Sequence, residues 1–177
     1  MIDLNEKGLI HVYTGNGKGK TTASMGIALR AAGQGLKVLI IQFMKAQSSG
    51  EIKALNAINL PITVRQFGRK VFFNSKTRDP IDIQRAQKGL ECFKSALIEG
   101  KYDLIVLDEI NVVMAMGSLK VEDVIRAIQT RPPALHLVLT GRNAPDEIVN
   151  LADLVTEMKE VKHCYNQGIA AQKGLEY

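Results

Sequence analysis

The sequence that decides the fold is Gly15-Asn16-Gly17-Lys18-Gly19-Lys20-Thr21-Thr22. It follows the mainly apolar residues 9–13, which predict a short buried strand, and it leads into residues 23–32, which predict a helix. A strand, a glycine-rich turn and Gly-Lys-Thr at a helix start are typical of the phosphate-binding loop of nucleotide-binding proteins. The sequence therefore predicts nucleotide binding at residues 15–22.

The residue types in this loop suit a triphosphate. Glycines let successive backbone N–H groups point inward around an anion, and the helix N-terminus adds its positive dipole end. Lys20 is expected to reach the outer phosphates, and the Thr21 hydroxyl to coordinate Mg²⁺. The usual pattern has a glycine five residues before Gly19, where this chain has Thr14, so the loop begins at Gly15 and is one residue shorter. A glycine-rich hairpin that binds nothing is the alternative, and the flanking strand and helix argue against it.

A second signal is the pair Asp108 and Glu109, which directly follows the apolar residues 104–107. Such a run predicts a buried parallel strand with carboxylates at its C-terminal tip. In nucleotide-hydrolase folds, acidic residues at this place help to hold Mg²⁺ opposite the phosphate-binding loop. Alone, the pair could simply cap the next helix. Together with the glycine-rich loop, it predicts a metal site formed by Thr21, Asp108 and Glu109.

Two cationic residues follow other predicted strands. Lys45 comes after residues 37–43, and Arg142 comes after residues 135–139. Ligand-binding loops of open α/β sheets lie at the C-terminal ends of the strands. Lys45 is therefore a candidate phosphate contact, with a solvated loop lysine as the equal alternative. Arg142 is a candidate for stabilising negative charge at the same edge.

Strands and helices alternate along the whole chain. Further strands are expected at residues 62–67 and 154–158, and further helices at residues 51–58, 80–99, 121–129 and 143–152. This alternation predicts an α/β fold in which one doubly wound, mostly parallel sheet carries helices on both faces. With no repeat or linker, residues 1–177 are expected to form a single domain.

The bulk properties narrow the class of protein. The net charge of +5 suits a polyphosphate ligand, but it hardly discriminates between proteins with and without an anionic partner. The sequence contains no Lys/Arg block interleaved with aromatic residues, so nucleic-acid binding is not predicted. The two cysteines, Cys92 and Cys164, form no CxxC pair, which argues against a zinc ribbon or a disulfide framework. The sequence shows neither a membrane-spanning apolar stretch nor a signal peptide, so we expect a cytoplasmic protein without a membrane partner.

One irregular segment, residues 68–78, combines four basic residues with the adjacent pair Phe72 and Phe73. Loops are normally polar, so this pair is unusual. One interpretation is that a phenylalanine anchors the loop to the core. The other is an apolar contact with a ligand, and composition alone leaves both open.

Several motifs occur together here: GNGKGKTT at 15–22, QFMKA at 42–46, LDEIN at 107–111, LTGRNAP at 139–145 and the run from residue 152 to 177. In this combination the chain resembles the ATP:cob(I)alamin (corrinoid) adenosyltransferases of the RecA-like P-loop type. The resemblance extends from Leu9 to Tyr177. The shortened loop and the C-terminal GIAAQKGLEY are its most specific parts, because generic P-loop proteins lack both.

The resemblance implies an enzyme that makes adenosylcobalamin in biosynthesis or salvage. Cobalt of the reduced corrinoid, as Co(I), attacks the ribose C5′ of ATP, and triphosphate leaves whole. In the family ATP lies in a reversed orientation along the loop. Catalysis would then depend on positioning and on neutralising the triphosphate.

The resemblance also implies roles for particular residues. The ATP-binding set is Gly15, Asn16, Gly17, Lys18, Gly19, Lys20, Thr21, Thr22 and Lys45, with Lys20 and Arg142 as the catalytic residues and Thr21, Asp108 and Glu109 as metal ligands. In the family an aromatic loop displaces the lower axial ligand of the corrinoid, which eases reduction of Co(II). The chain has no tryptophan, so Phe72 and Phe73 are the first candidates for corrinoid contacts and Phe67 the second. A flavoprotein electron donor and a homodimer are also implied.

The main alternative is a P-loop kinase or nucleotide hydrolase that acts on the γ-phosphate of ATP. A thymidine-kinase-like protein would be expected to have zinc-binding cysteines, and a nucleoside monophosphate kinase an arginine-rich lid. A non-catalytic or DNA-linked ATPase module would be expected to have an extended basic surface. None of these classes explains the tail at residues 168–177.

Overall fold

A computed structural model describes residues 7–46, 49–69 and 79–175 of the chain. Strands and helices alternate through these residues. The strands are β1 (Ile10–Thr14), β2 (Val38–Phe43), β3 (Ile62–Phe67), β4 (Leu104–Asp108), β5 (His136–Thr140) and β6 (Leu154–Glu157). The helices are α1 (Lys20–Gly33), α2 (Gly50–Ala57), α3 (Pro80–Glu99), α4 (Ile110–Ala115), α5 (Val121–Gln129) and α6 (Asp146–Leu151), followed by a 3₁₀ turn at Cys164–Gln167.

In the described residues, six strands form one sheet in the order β3-β2-β4-β5-β1-β6, and every neighbouring pair is parallel. Strand β5 lies between β1 and β4, so the tips of these three strands adjoin one another. The glycine-rich loop (residues 15–19) follows β1, and Asp108 ends β4. This order brings two distant sequence motifs to one edge of the sheet, as expected for a doubly wound fold.

The two faces of the sheet have separate cores because side chains alternate along each strand. One core joins Leu39, Ile41 and other strand residues to α3, α4, α5 and α6. The other joins Val38, Ile40 and their neighbours to α1, with α2 packed beside it. Helices therefore cover both faces, and the central strands β2 and β4 are buried along their whole length and apolar almost to their C-terminal ends, as expected of buried parallel strands.

Most of the predicted elements are confirmed, and α3 is the clearest case. Its N-terminal Asp79 accepts a hydrogen bond from the Ile81 backbone N–H at 2.9 Å, Pro80 is its first residue, and Gly100 ends it with a φ of 61°. Phe93 on its apolar face is fully buried, as predicted.

The expectation of a mostly parallel sheet is confirmed, since every neighbouring pair of the six described strands is parallel. Two details of the prediction are wrong. Helix α1 begins at Lys20 rather than at residue 23, because the loop enters the helix directly. Helix α4 was not predicted, since its six residues are too few to show a helical period.

Candidate active site at the tips of the central strands

The glycine-rich loop is held against the segment that follows β6. The Gly17 backbone N–H donates a hydrogen bond to the Met158 carbonyl at 2.6 Å. A Cβ atom at Gly17 would lie 2.7 Å from that oxygen, and one at Gly15, whose φ is +89°, would lie 2.5 Å from it. Side chains at these two positions would therefore clash with the backbone. The loop requires glycine at these two positions because the backbone of Met158, just after β6, lies so close to it.

Lys20, the first residue of α1, is largely buried and turns back over the loop. Its Nζ donates hydrogen bonds to the Gly15 and Gly17 carbonyl oxygens, both at 2.7 Å. This places the ammonium group inside the curve of the loop. Burial lowers the pKa of Lys20, and the nearby positive charge of Arg142 lowers it further. An anion at this place would stabilise the charged form.

Asp108 is the centre of the site. It is fully buried, and within the described part of the chain its two carboxylate oxygens accept four hydrogen bonds. Oδ1 accepts from the hydroxyls of Thr21 (3.0 Å) and Thr140 (2.7 Å). Oδ2 accepts from the Gln42 amide (3.0 Å) and the Lys45 ammonium (2.8 Å). The Thr21 contact joins the glycine-rich loop to the acidic strand, which confirms that the two motifs share one place.

Lys45 contacts three of the predicted metal and nucleotide ligands at once. Besides Asp108, its Nζ donates to the Thr21 hydroxyl at 3.0 Å and lies 3.7 Å from Glu109 Oε1. About a third of the lysine side chain is exposed (34%). Burial alone would lower the pKa of Lys45, but the charges of Asp108 and Glu109 outweigh it and raise the pKa. These contacts argue against the alternative of a solvated loop lysine, and the phosphate contact stays a prediction.

The two carboxylates of the site have opposite electrostatic character. Burial disfavours the charged form of Asp108, but Lys45 and the hydrogen bonds overcome it and hold its pKa below the usual range. For Glu109, burial dominates, and the pKa of that carboxyl is raised although Lys45 opposes the shift. Folding therefore fixes the negative charge of Asp108 and disfavours that of Glu109.

Sequence reasoning missed two residues of this cluster, Thr140 and Gln42. Thr140 donates to Asp108 and accepts the Glu109 backbone N–H at 2.9 Å. Gln42 accepts a hydrogen bond from the Gln66 amide at 2.9 Å, which extends the network across the four strands β5, β4, β2 and β3. Each is a polar residue at the C-terminal end of an otherwise apolar strand. That position was the available signal, because a buried polar side chain needs a partner.

Backbone strain is concentrated around the same cluster. In the described ranges, three non-glycine residues have a clearly positive φ: Met44 (59°), Glu109 (67°) and Asn143 (55°). Met44 directly precedes Lys45, and Asn143 directly follows Arg142. Such conformations are costly for residues with a side chain, and they gather at functional sites. The strain therefore marks the same three strand tips as the sequence motifs.

The remaining predicted ligands lie around this centre. Arg142 is exposed, and its charge acts on both Lys20 and Glu109. The next loop residue, Gly141, accepts a hydrogen bond at 3.3 Å from the buried Asn111 side chain, which ties the Arg142 loop to α4. Lys18 is exposed and donates to the Leu175 carbonyl at 2.7 Å. Asn16 and Thr22 are exposed at the loop surface.

An apolar pocket adjoins the polar cluster. Met44 and Phe67 line it from the ends of β2 and β3, and Val113 and Met116 line it from α4 and the following turn. Arg69 and Asp82, also at this pocket, form an ion pair. An apolar ligand bound in this pocket would therefore contact Phe67. Phe72 and Phe73 lie outside the described residues.

Comparison with known proteins agrees with this geometry. Residues 6–177 match the family model described as ATP:corrinoid adenosyltransferase BtuR/CobO/CobP. The chain belongs to this family. The match includes the glycine-rich loop, the acidic strand and the C-terminal segment, so the suspected resemblance is confirmed.

Curated members of the adenosyltransferase family align over nearly the whole chain. A corrinoid adenosyltransferase of Pseudomonas aeruginosa is 37% identical over 174 residues, covering 98% of this chain and 85% of that protein. The corrinoid adenosyltransferase of Escherichia coli K12 is 36% identical, covering 98% and 87%. The corrinoid adenosyltransferase CobA of Salmonella typhimurium is 37% identical, covering 97% and 87%.

A solved structure with low sequence similarity has the same fold. The flagellar accessory protein FlaH of Methanocaldococcus jannaschii superposes with a TM-score of 0.58 at 13% identity, covering 85% of this chain and 71% of that chain. This likeness supports the α/β fold class. No helix among the described residues is long and apolar enough to cross a membrane.

Proposed function

We propose that the protein transfers the 5′-deoxyadenosyl group of ATP to the Co(I) centre of cobalamin or a related corrinoid and releases triphosphate. Family membership supports a corrinoid adenosyltransferase. The structural observation that most supports this function is the hydrogen bond between Thr21 and Asp108, which joins the helix after the glycine-rich loop to the acidic tip of β4. A chain with this pair can hold a metal–triphosphate complex at the edge of its sheet.

The triphosphate would lie along the glycine-rich loop. The Lys20 ammonium is already directed into the curve of the loop, and the N-terminus of α1 adds its dipole there. Arg142 lies within electrostatic range of Lys20, so both cations would face the departing triphosphate. Asn16, Lys18 and Thr22 would contact it from the loop surface.

The residues present fit a magnesium ion. Mg²⁺ is usually held by one or two carboxylates together with substrate phosphates and water. Thr21, Asp108 and Glu109 offer oxygens around the Lys45 ammonium, so the structure itself places a cation among them. When bound, the ion would neutralise charge on the triphosphate.

The proposed reaction requires no proton transfer by the protein. The cobalt electron pair forms a bond to the ribose C5′ as the C5′–O bond breaks, and the electrons of that bond leave with triphosphate. The protein contributes by aligning the two substrates and by placing positive charge at the leaving group. Lys20 and Arg142 are the side chains proposed for that second task.

The corrinoid would enter beside the apolar pocket. Phe67 and Met44 line that pocket, and Met44 is bonded directly to Lys45 at the polar cluster. A large, partly apolar ligand there would therefore adjoin the nucleotide site. For this reason we propose Phe67 as a corrinoid contact. Phe72 and Phe73 are also proposed as corrinoid contacts, on the family resemblance alone.

Two parts of the proposal derive from the family resemblance. A flavoprotein would supply the electron that reduces Co(II), and the protein would act as a homodimer. Its place in the cytoplasm is proposed from the sequence instead. Residues 1–177 are proposed to form one domain. The exposed β6 edge, with Leu154 and Val155 about two-fifths exposed, is consistent with contact to a second copy.

The deciding experiment is phosphorus NMR of the products formed anaerobically from Mg·ATP and chemically reduced cob(I)alamin. We expect intact triphosphate together with a light-sensitive alkylcobalamin, and both products should form only when ATP and cob(I)alamin are present together. ADP and phosphate formed with or without corrinoid would contradict the proposal and indicate a γ-phosphate kinase or hydrolase. A variant of an exposed helical lysine, Lys88→Met, serves as the control.

A further inference from the structure

We propose that Lys45 is a tethered cation at the metal position, which makes the site bind the metal–nucleotide complex and reject free metal. This inference rests on the proposed function, because it assumes that Thr21 and Asp108 hold the metal of a metal–nucleotide complex. It assigns to Lys45 a role in metal selection that differs from the phosphate contact predicted from the sequence.

The first step concerns the lone pairs that a metal needs. Lys45 donates to Thr21 Oγ1 at 3.0 Å and to Asp108 Oδ2 at 2.8 Å. The other oxygen of Asp108 already accepts from Thr21 and Thr140, and Oδ2 also accepts from Gln42. A carboxylate offers about four lone-pair sites, and these contacts fill them. A metal at Thr21 and Asp108 therefore requires Lys45 to leave.

The second step concerns what remains when Lys45 leaves. The Thr21 hydroxyl can keep donating to Asp108 Oδ1 while the oxygen lone pair released by Lys45 faces the metal. Asp108 keeps the hydrogen bonds from Thr140 and Gln42, so its orientation is unchanged. Departure of Lys45 thus frees one oxygen lone pair on each ligand and disturbs nothing else in the network.

The third step is charge. Lys45 balances one of the two negative charges of Asp108 and Glu109, and Glu109 Oε1 lies 3.7 Å from its ammonium. A free divalent ion must displace this tethered cation, and the displaced ammonium then lies beside a new positive charge. A triphosphate supplies the missing negative charge, because the displaced Lys45 can pair with it. Metal and nucleotide would therefore bind cooperatively.

The geometry of the chain permits this exchange. About a third of the Lys45 side chain is exposed, so the ammonium has a path away from the carboxylates. The Gly68 backbone packs closely against the backbone of Lys45, because a Cβ at Gly68 would lie 2.2 Å from the Lys45 backbone nitrogen. The exchange therefore requires movement only of the long Lys45 side chain.

The test measures binding of Mn²⁺, a Mg²⁺ substitute, by electron paramagnetic resonance without nucleotide. We expect Lys45→Met to bind Mn²⁺ about tenfold more tightly than the unaltered protein, because a competing cation is removed. Lys45→Arg, which keeps the charge, and Lys88→Met, on an exposed helix face, should match the unaltered protein. With an unreactive ATP analogue present, we expect the difference between Lys45→Met and the unaltered protein to shrink to less than about threefold, because the triphosphate pairs with the displaced Lys45 ammonium of the unaltered protein.

Equal Mn²⁺ affinity of the Lys45→Met variant and the unaltered protein in the absence of nucleotide would overturn the inference. A crystal structure of the unaltered protein with Mg²⁺ and the analogue tests it without any substitution. There we expect the ion between Thr21 and Asp108 with Lys45 withdrawn, and Lys45 still hydrogen-bonded to Asp108 would overturn it. Neither readout uses corrinoid, so failure of adenosyl transfer in the NMR experiment is a separate result.

Discussion

Replacement of Thr140 by valine tests whether the hydrogen-bond network around Asp108 stabilises the fold. Thr140 is fully buried at the tip of β5. Its hydroxyl donates to Asp108 Oδ1 at 2.7 Å and accepts the Glu109 backbone N–H at 2.9 Å. Valine has nearly the same shape as threonine, so the change removes both hydrogen bonds and leaves almost no cavity.

The magnitude follows from the two bonds that are lost. A hydrogen bond to a charged group contributes about 1.5–3 kcal/mol to stability, and an unpaired buried donor costs about 1–3 kcal/mol. The Glu109 N–H is only partly buried, so we place its cost at the low end. Thr140→Val is therefore expected to lower the free energy of unfolding by about 3 kcal/mol.

The assay is urea unfolding at pH 7 without metal or nucleotide, with Thr140→Ser as the matched control. Serine keeps the hydroxyl and loses one methyl group, which costs about 1 kcal/mol. We expect the valine variant to be about 2 kcal/mol less stable than the serine variant, with unchanged dependence on urea. If the two variants are equally stable, the buried network does not stabilise the fold, and this reasoning is wrong.

The pH dependence of stability, compared between the unaltered protein and Thr140→Val, provides a second test. The pKa of Asp108 is lowered in the folded protein, so its ionised form contributes stability that is present above the unfolded-state pKa. That contribution is lost as the pH falls through the folded-state pKa. Because the Thr140 hydroxyl supports the ionised form, the gap between unaltered protein and Thr140→Val should narrow in this acidic range. A gap that is constant with pH would contradict the assignment of the effect to Asp108.

Two further predictions concern the charged groups of the site. Lys20→Met is expected to reduce the rate of triphosphate release by about 10²–10³-fold. Its stability to urea should change little, since burial already disfavours the Lys20 charge. A rate loss of less than about tenfold would show that Lys20 is not a catalytic residue. Glu109→Gln is expected to raise the free energy of unfolding at pH 7 in metal-free buffer, because the folded-state pKa of Glu109 is raised and its ionisation therefore costs stability. This gain should vanish as the pH falls through that pKa, and a Glu109→Gln variant less stable than the unaltered protein at pH 7 would refute the burial argument.

Much of the site was predictable because local sequence encodes it. The glycine-rich loop, Lys20 and Thr21 are defined by residues adjacent in the chain, and the carboxylates of Asp108 and Glu109 follow an unbroken apolar strand. In a parallel sheet the C-terminal ends of strands meet at one edge, so their proximity follows from the fold class. The structure brings Thr21 and Asp108 together with their side chains hydrogen-bonded at 3.0 Å, and their role as metal ligands stays a prediction.

The partners of single polar residues were not predictable in the same way. Gln42 lies on β2, Lys45 just after its end, and Thr140 on β5, and only the strand order brings these side chains to Asp108 on β4. Helix α4 has six residues, and its short apolar run resembles the end of a strand or a loop as much as a helix. The residue before it, Glu109, has a φ of 67°, a conformation that residues with a side chain seldom adopt.

The fold class, the position of the glycine-rich loop and the family could be predicted from the sequence, because these depend on periodicity and on motifs of fixed spacing. The tertiary structure alone decided which cation faces the acidic pair. Sequence reasoning left Lys45 between a phosphate contact and a solvated lysine, and packing of β2 beside β4 places it on Asp108 instead. Electrostatic partners are set by distances in space, and those distances appear only when the sheet is assembled.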